Sequence, residues 1–537
     1  MGVKKWWCLC LVFLPGFALA EQAPQADAHA VDAARTAPQA APDEAAFDIF
    51  EYQIEGNTVL SNLAIEEAVY PFLGEKKNVS IVNQARQALE KAYHDAGYLT
   101  VLVDIPEQEV KSGQVRLKVT EATVGRLKVS GSRYYSLGWI KQHAPALAEG
   151  GVPYFPEVQK EMTDLARTPD RQVLPVLRAG TAPGTVEVEL QVKDDLPLHG
   201  SLEANNRYGP NTTQSRVAGT LRYDNLWQRQ HSLSATFQVA PEKPAESNVL
   251  SGTYVIPGEG GRAYALYAVR SRSNVSALGG YTALGKGNFY GLRWITPLRS
   301  RDEHFSHSFT LGADYKDSFE SVVGGADTID TPIVYMPFMM QYAGNMHWEK
   351  ALTQFDITAN FHFRGSLNND DQFAAKRQDA SANYFYVRGN LQHTQALGQW
   401  SAYLKLSGQA ASGPLISNEE FTAGGADTVR GYLEAESLGD VGVQGTLEVR
   451  TPPLLNPASS WLKQIYALGF LDAARLQVLS PQADQQSTFY LSSAGIGLRA
   501  QGFKGFQFSL DWAMPFRAQT YTKARSSRLL ARMQYEF

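Results

Sequence analysis

The sequence predicts two small α+β modules followed by an all-β, sixteen-stranded antiparallel barrel that crosses a membrane. Three observations predict it. From residue 198 onward the chain alternates apolar and polar residues in segments of about ten, the length of a transmembrane β-strand. The connections between those segments alternate between short and long, as they do in an outer-membrane barrel. Ahead of them, residues 47–195 read twice as strand, helix, helix, strand, strand.

The first twenty residues, "MGVKKWWCLCLVFLPGFALA", carry Lys4 and Lys5, then an apolar run broken by Pro15, then Ala18-Leu19-Ala20. This is the pattern of a secretory signal. Both cysteines of the chain, Cys8 and Cys10, fall inside it, so the exported part needs neither a disulfide nor a thiolate metal site. Residues 21–46 are rich in Ala, Pro and Gln and lack the large apolar residues of a core. They read as a flexible linker in which Ala26–Thr36 can form a short helix.

The first module, 47–121, opens with "FDIFEYQIEGNTVLS", a strand that ends in a turn. Two helices follow, "NLAIEEAVYPFLG" and "IVNQARQALEKAYHDAGY". In the second, Ile81, Ala85, Leu89 and Ala92 share a face, and Gly97 stops the helix. "LTVLVDIP" and "QVRLKVTEA" complete the unit as strands. The second module, 122–195, repeats the order. It opens with "TVGRLKVSGSRYYS", places helices near 136–145 and 156–167, and closes with "RQVLPVLRAG" and "TVEVELQVKDD". Both copies begin with a strand that ends in glycine.

The barrel, 196–537, takes strands beginning near 198, 214, 229, 248, 262, 286, 304, 335, 352, 382, 398, 441, 463, 490, 505 and 528. In "SLSATFQVA", Leu233, Ala235, Phe237 and Val239 face one way and the intervening polar residues the other. "FDITANFHFR" and "FQFSLDW" alternate likewise. Strict alternation means two faces in two environments. "DNLWQR", "PGEGG", "ALGQ" and "AQGFKG" are short connections, whereas 317–334, 365–381, 410–440, 474–489 and 514–527 are long. The last strand, "RLLARMQYEF", puts Leu529, Ala531, Met533, Tyr535 and Phe537 on one face. An even strand count returns the barrel to its starting side, so the modules belong with the short turns, in the periplasm.

The connection 410–440 is too long for a simple turn, and loops of this length tend to be functional. It contains "GGADTVRGYLEAESLGDVG", where Gly424, Gly425 and Gly431 supply freedom for tight turns and Arg430 presents a planar fork suited to a carboxylate.

Two such modules before a sixteen-stranded barrel resemble the TpsB transporters of two-partner secretion, in the superfamily of the outer-membrane insertases, whose modules are called POTRA domains. The stretch "VDIPEQEVKSGQVRLKVTEATVGRLKVSG", with Pro106, Glu107, Gln108 and Gly113, resembles the family's junction between two POTRA domains. The glycines Gly424, Gly425, Gly439 and Gly442, with Val429, Arg430, Gly431 and Tyr432, resemble its most diagnostic segment. The resemblance implies that this segment is the tip of a loop folded into the barrel lumen. It also implies that Arg430 pairs with an aspartate of a wall motif F-x-D-x-G, here Phe470-Leu471-Asp472-Ala473-Ala474, with Ala474 in place of the glycine. It further implies a plug helix in 21–46, an exported exoprotein as the partner captured by the modules, and recognition of Tyr535 and Phe537 by the barrel-assembly machinery.

The remaining residues point away from chemistry. There is no G-x-S-x-G, no H-E-x-x-H and no P-loop, so no enzyme activity, cofactor or metal is expected. His304 and His307 belong to one strand or its turn, and the acids Asp356 and Glu448 read as polar wall. A formal charge of −5 excludes a nucleic-acid partner of the usual basic kind. Two alternatives share features with this reading. An insertase would carry the VRGY segment with more modules. A passive porin would leave the modules and Arg430 without a purpose.

Overall fold

The structure is a computed structural model and describes residues 46–537 except 111, 274, 279–280, 325–326, 455–461 and 484. Residues 1–20, read as a secretory signal, and, but for Ala46, the segment 21–46 lie outside the described residues. What is described forms two compact units, the second of which begins at Pro197.

The first unit holds two three-stranded sheets of the same topology. In each, the first strand pairs parallel with the third and the second pairs antiparallel with the third: Glu51–Glu55, Val101–Asp104 and Gln114–Glu121, then Thr123–Ser130, Arg171–Ala179 and Thr185–Asp194. Polar caps set where the helices start. The Ser61 hydroxyl accepts from the Ala64 N–H ahead of Asn62–Val69, and the Asn78 side chain accepts from the Ile81 N–H ahead of Val79–Asp95. Ser136 does the same for Leu137–Gln142, and Pro156 stands in the first turn of Phe155–Leu165. The long helix of the first module buries Val82, Ala85, Leu89 and Tyr93. Its buried stripe is therefore turned slightly from the predicted face, and Ile81 and Ala92 flank it. Tyr93 drives the rotation, since its hydroxyl donates to Asn57 Oδ1 at 2.6 Å across the core.

The repeat extends to the atoms. Gly56 and Gly131 both have φ near +90°, and a Cβ on either would stand 2.3 Å from a backbone oxygen, of Val119 and Val192 respectively. Two residues after each valine comes a carboxylate that holds the turn beyond the glycine. Glu121 accepts from the Thr58 and Val59 N–H groups at 2.7 and 3.1 Å. Asp194 accepts from the Ser132 hydroxyl and from the backbone of Arg133, Tyr134 and Tyr135.

Pro106, Glu107, Gln108 and Gly113 depart from the expectation. They lie in the hairpin between Val101–Asp104 and Gln114–Glu121, inside the first module, and the change of sheet comes at Ala122. The Gln108 amide pairs with both backbone groups of Arg116, at 2.7 and 2.8 Å, as a strand residue would. Gly113 receives the Phe50 ring, 2.4 Å from where a Cβ would be.

The second unit is a closed antiparallel barrel. Its strands are β1 (Leu198–Asn205), β2 (Arg216–Leu226), β3 (His231–Val239), β4 (Asn248–Pro257), β5 (Ala263–Ser271), β6 (Gly287–Leu298), β7 (Phe305–Gly324), β8 (Asp327–Tyr335 continued by Phe338–Trp348), β9 (Ala351–His362), β10 (Tyr384–Leu397), β11 (Trp400–Ala411), β12 (Val441–Arg450), β13 (Leu462–Gln477), β14 (Thr488–Gly502), β15 (Gln507–Pro515) and β16 (Arg528–Glu536). The two parts of β8 pair with successive parts of β7 and are one strand interrupted at 336–337, where Pro337 lacks an N–H, so the barrel has sixteen. For the same reason 317–334 is no loop. It is a β-hairpin that prolongs β7 and β8. The predicted apolar faces point outward, with Phe237, Ile357, Trp512, Leu529 and Met533 exposed. The tight connections 227–230, 258–262, 349–350, 398–399 and 503–506 all follow even strands. No described helix is long and apolar enough to cross a membrane.

Closure joins β16 to β1 through Arg532↔Asn205 to Glu536↔Ser201. Phe537 extends it, since its N–H donates to Gly200 O at 3.0 Å and its carbonyl accepts from Gly200 N–H at 2.9 Å. The Phe537 ring fills the space of the side chain that Gly200 lacks, 2.2 Å from an ideal Cβ. Tyr535 stacks beside it, with ring centroids 6.0 Å apart.

Candidate functional site: a buried arginine at the tip of a lumen loop

The connection from β11 to β12 narrows into a two-stranded ladder, Phe421–Ala423 with Ser437–Gly439. Between its strands the chain turns tightly enough to present Arg430 at the tip. Two glycines are needed there. Gly425 has φ +112°, and a Cβ would fall 2.3 Å from Glu434 Oε2. Gly431 has φ +94° and lies against the ring of Pro515 on β15. Gly424 also has a positive φ and accepts from the Ala435 N–H. Gly439 ends the ladder opposite Phe421, and Gly442, the second residue of β12, lies under the Phe421 ring.

Arg430 is 3% exposed. Nε donates to Asp472 Oδ2 at 2.8 Å and Nη2 to Asp472 Oδ1 at 2.9 Å, a bidentate pair, and the Arg430 backbone N–H adds a third bond to Oδ2 at 3.1 Å. Nη1 donates to Glu448 Oε1 at 2.9 Å. The guanidinium carbon stands 3.4 Å from the centroid of the Phe470 ring. Alternation on β13 explains why one strand supplies both ring and carboxylate. Leu468, Phe470, Asp472, Ala474 and Leu476 are buried on one face, whereas Leu471 points outward.

The flanking residues seat the tip. Val429 is fully buried, and Tyr432 is too, its hydroxyl donating to the carbonyl of Arg517 at 2.9 Å and accepting from the N–H of Ser492 at 3.3 Å. Both join Phe421, Ala423, Leu476, Leu491 and Ala474 in one apolar cluster. The methyl of Ala474, where the family motif has glycine, is thus packed by the loop. It leaves room for the Arg430 backbone to reach Asp472.

The structure brings Arg430, Phe470 and Asp472 together and adds residues that the sequence reading did not assign to the loop. Glu448 is the second carboxylate on Arg430, and it also accepts from Arg450 at 2.7 Å. Its register opposite Phe470 carries the signal, since it places both residues on the lumen face of adjacent strands. Farther out, Glu419 is buried between Lys316, Tyr335 and Tyr386, and Asp440 makes a bidentate pair with Arg377 at 2.7 Å for both bonds. Asp356, read as wall, accepts from Asn390 at 3.0 Å. His304 and His307 serve separate partners, Asp302 and Tyr342.

This architecture has known relatives. The family model described as "Haemolysin secretion/activation protein ShlB/FhaC/HecB" matches residues 184–500, and one described as "POTRA domain, ShlB-type" matches 47–122. The outer membrane transporter CdiB of Dickeya dadantii (strain 3937) is 23% identical over 431 residues, 74% of this chain and 71% of the relative. Among solved structures, CdiB from Escherichia coli has a TM-score of 0.62 at 16% identity, covering 94% of this chain and 93% of that one. BamA from Haemophilus ducreyi lacking POTRA domains 1–3 has a TM-score of 0.55 at 13% identity, covering 91% and 100%. At these identities the structural likeness shows the fold. The protein is an outer-membrane β-barrel with a periplasmic POTRA region. The chain belongs to the haemolysin secretion/activation protein family ShlB/FhaC/HecB, transporters of two-partner secretion.

Proposed function

We propose that this protein captures one large exoprotein in the periplasm, unfolded, and passes it through the barrel to the cell surface without ATP. The observation that carries the reading is Arg430. A loop tip inside the barrel is fixed by a bidentate pair to Asp472 and a further bond to Glu448. A passive pore needs no such lock. We read Arg430–Asp472 as the contact that holds the resting loop and breaks when the client passes.

Residues 122–195, which repeat the first module, are read as a second POTRA domain. Each three-stranded sheet ends on an edge strand, Val101–Asp104 in one and Arg171–Ala179 in the other. Such edges accept an extended segment by backbone pairing and so bind a client without demanding one sequence. Folding of the client outside the cell biases its movement outward. Residues 1–20 direct export, and Tyr535 and Phe537 present the last strand to the barrel-assembly machinery.

Deletion of 47–195 tests client capture. Secretion of the partner is expected to be lost while the barrel still inserts, as shown by its heat-dependent gel mobility. Normal secretion without the modules would overturn the reading.

A further inference from the structure

The tip of the lumen loop has a second charged tether, and it leads to the line along which the barrel closes. Arg207 stands two residues beyond the end of β1. Its Nη2 pairs with Asp427 Oδ2 at 2.5 Å and its Nε donates to Glu434 Oε1 at 3.1 Å. These acids lie three residues before and four after Arg430. Glu434 also accepts from the Ala426 N–H at 3.0 Å, and its own N–H donates to the Tyr208 carbonyl at 3.1 Å. All three charged side chains are more than four-fifths buried.

The neighbours of Arg207 hold the seam between β1 and β16. The strand register there ends at Asn205. Beyond it, Asn206 stands in for a strand residue. Its N–H donates to Ala531 O at 3.2 Å, its Oδ1 accepts from Ala531 N–H at 2.8 Å, and its Nδ2 donates to Leu529 O at 2.8 Å. The Tyr208 ring lies under the Arg528 guanidinium of β16, 4.2 Å from its carbon. The tripeptide Asn206-Arg207-Tyr208 therefore touches the seam through Asn206 and the Tyr208 ring, and the lumen loop through the Arg207 side chain and the Tyr208 carbonyl.

We propose that Arg207 is a positioning residue that couples the lumen loop to the closing seam of the barrel. The proposal rests on the reading that the tip leaves its place during transport. When Asp427 and Glu434 withdraw with the tip, Arg207 loses both carboxylates in a confined site, where an unpaired charge is costly. Its side chain must be rehoused, and the peptide planes on either side carry that change to Asn206 and Tyr208. Coupling of this kind is reciprocal, so loosening the seam also loosens the tip.

The test uses the full-length protein with no client present. Two readouts are taken: the fraction of time the pore is open in a planar bilayer, and the temperature at which the unheated barrel loses its compact gel mobility. Arg207→Ala is expected to raise the open fraction several-fold and to lower that temperature. Glu434→Gln, on the loop side, does both more weakly and stands in for Arg207→Ala if that variant fails to assemble. Asn206→Ala, which touches only the seam, is expected to raise the open fraction as well. Arg430→Ala is the control, since it frees the tip without touching the seam. If Arg430→Ala opens the pore while Arg207→Ala and Glu434→Gln do not, the coupling alone is overturned. The same holds if Asn206→Ala weakens the seam and leaves the open fraction unchanged. An Arg430→Ala pore that stays closed overturns the lock, and the coupling with it.

Discussion

Arg430 meets two carboxylates of unequal weight. Asp472 receives three hydrogen bonds from it, one from the backbone, and Glu448 receives one. Removing one partner of a buried pair costs about 3–5 kcal/mol, because the other charge is left without compensation. Here Arg430 keeps Glu448 when Asp472 is lost, so the arrangement weakens before it fails. Asp472→Ala is therefore expected to open the pore and reduce secretion more than Glu448→Ala does, and the two together more than either alone. Adding Arg430→Ala to Asp472→Ala is expected to remove only the remaining bond to Glu448 and so to do less than Arg430→Ala does alone, since residues in contact are not additive. Additive effects of Arg430→Ala and Asp472→Ala in open fraction or secretion would dissolve the pairing. Ala474 is a milder case. Its methyl fills the cluster around Val429 and Tyr432, so Ala474→Gly restores the family residue and is expected to loosen the tip slightly.

At the scale of elements, the two periplasmic modules use one device twice, a glycine that lets strand meet backbone and an acid that caps the turn beyond it. Burial alone would raise the pKa of Asp194, and the hydrogen bonds from Ser132 and from the backbone of Arg133, Tyr134 and Tyr135 outweigh it and hold the value below the ordinary carboxylate range. The stabilisation is complete above the unfolded value of about 4 and is lost as the pH falls through the folded value. Asp194→Asn is expected to flatten the acid loss of stability in the second module. Hydrogen exchange of the strand Thr185–Asp194, corrected for its intrinsic pH dependence, reads it; an unchanged acid limb would show that the cap contributes nothing. The turn glycines of this device were legible because each closes the opening strand of its copy. The strands of the barrel were legible because two environments impose strict alternation. Register was not. It depends on how far each connection offsets its strands, which no local pattern encodes, so Glu448 opposite Phe470 went unread as a partner of Arg430. Pro106, Glu107, Gln108 and Gly113, read as the junction between modules, lie inside the first one for a related reason. The strands Gln114–Glu121 and Thr123–Ser130 follow each other with one residue between them, and no turn residues mark the change of sheet. The 317–334 segment looked like a loop because Gly324, Gly325 and the acids Asp317, Glu320, Asp327 and Asp330 interrupt its apolar residues.

At the scale of the whole barrel, the lumen loop is a charged object held by charged walls. Residues 410–440 contain six acids, Glu419, Glu420, Asp427, Glu434, Glu436 and Asp440, and one base, Arg430. The acids meet Lys316 on β7, Arg377 in the connection after β9, and Arg207 beyond β1. Arg430 meets Glu448 on β12 and Asp472 on β13. Replacing 413–439 by a short turn is therefore expected to do two things at once. It clears the lumen, so single-channel conductance in a planar bilayer rises. It also removes both carboxylates from Arg207, Glu419 from Lys316 and Glu420 from Arg377, which keeps Asp440, and takes away only Arg430 from Glu448 and Asp472 in return, so the wall becomes more positive. A pore with a positive wall favours anions. The reversal potential across a KCl gradient is expected to shift toward chloride, and the shift should shrink at high salt as screening grows. Removing the freed positive charge with Arg207→Gln and Lys316→Gln in the shortened chain is expected to reverse it. A conductance unchanged by the deletion would place the loop outside the conducting path and remove the basis for treating Arg430 as a lock. A larger pore without the chloride shift would keep the loop in the lumen and show that the two freed cations, Arg207 and Lys316, find other acids.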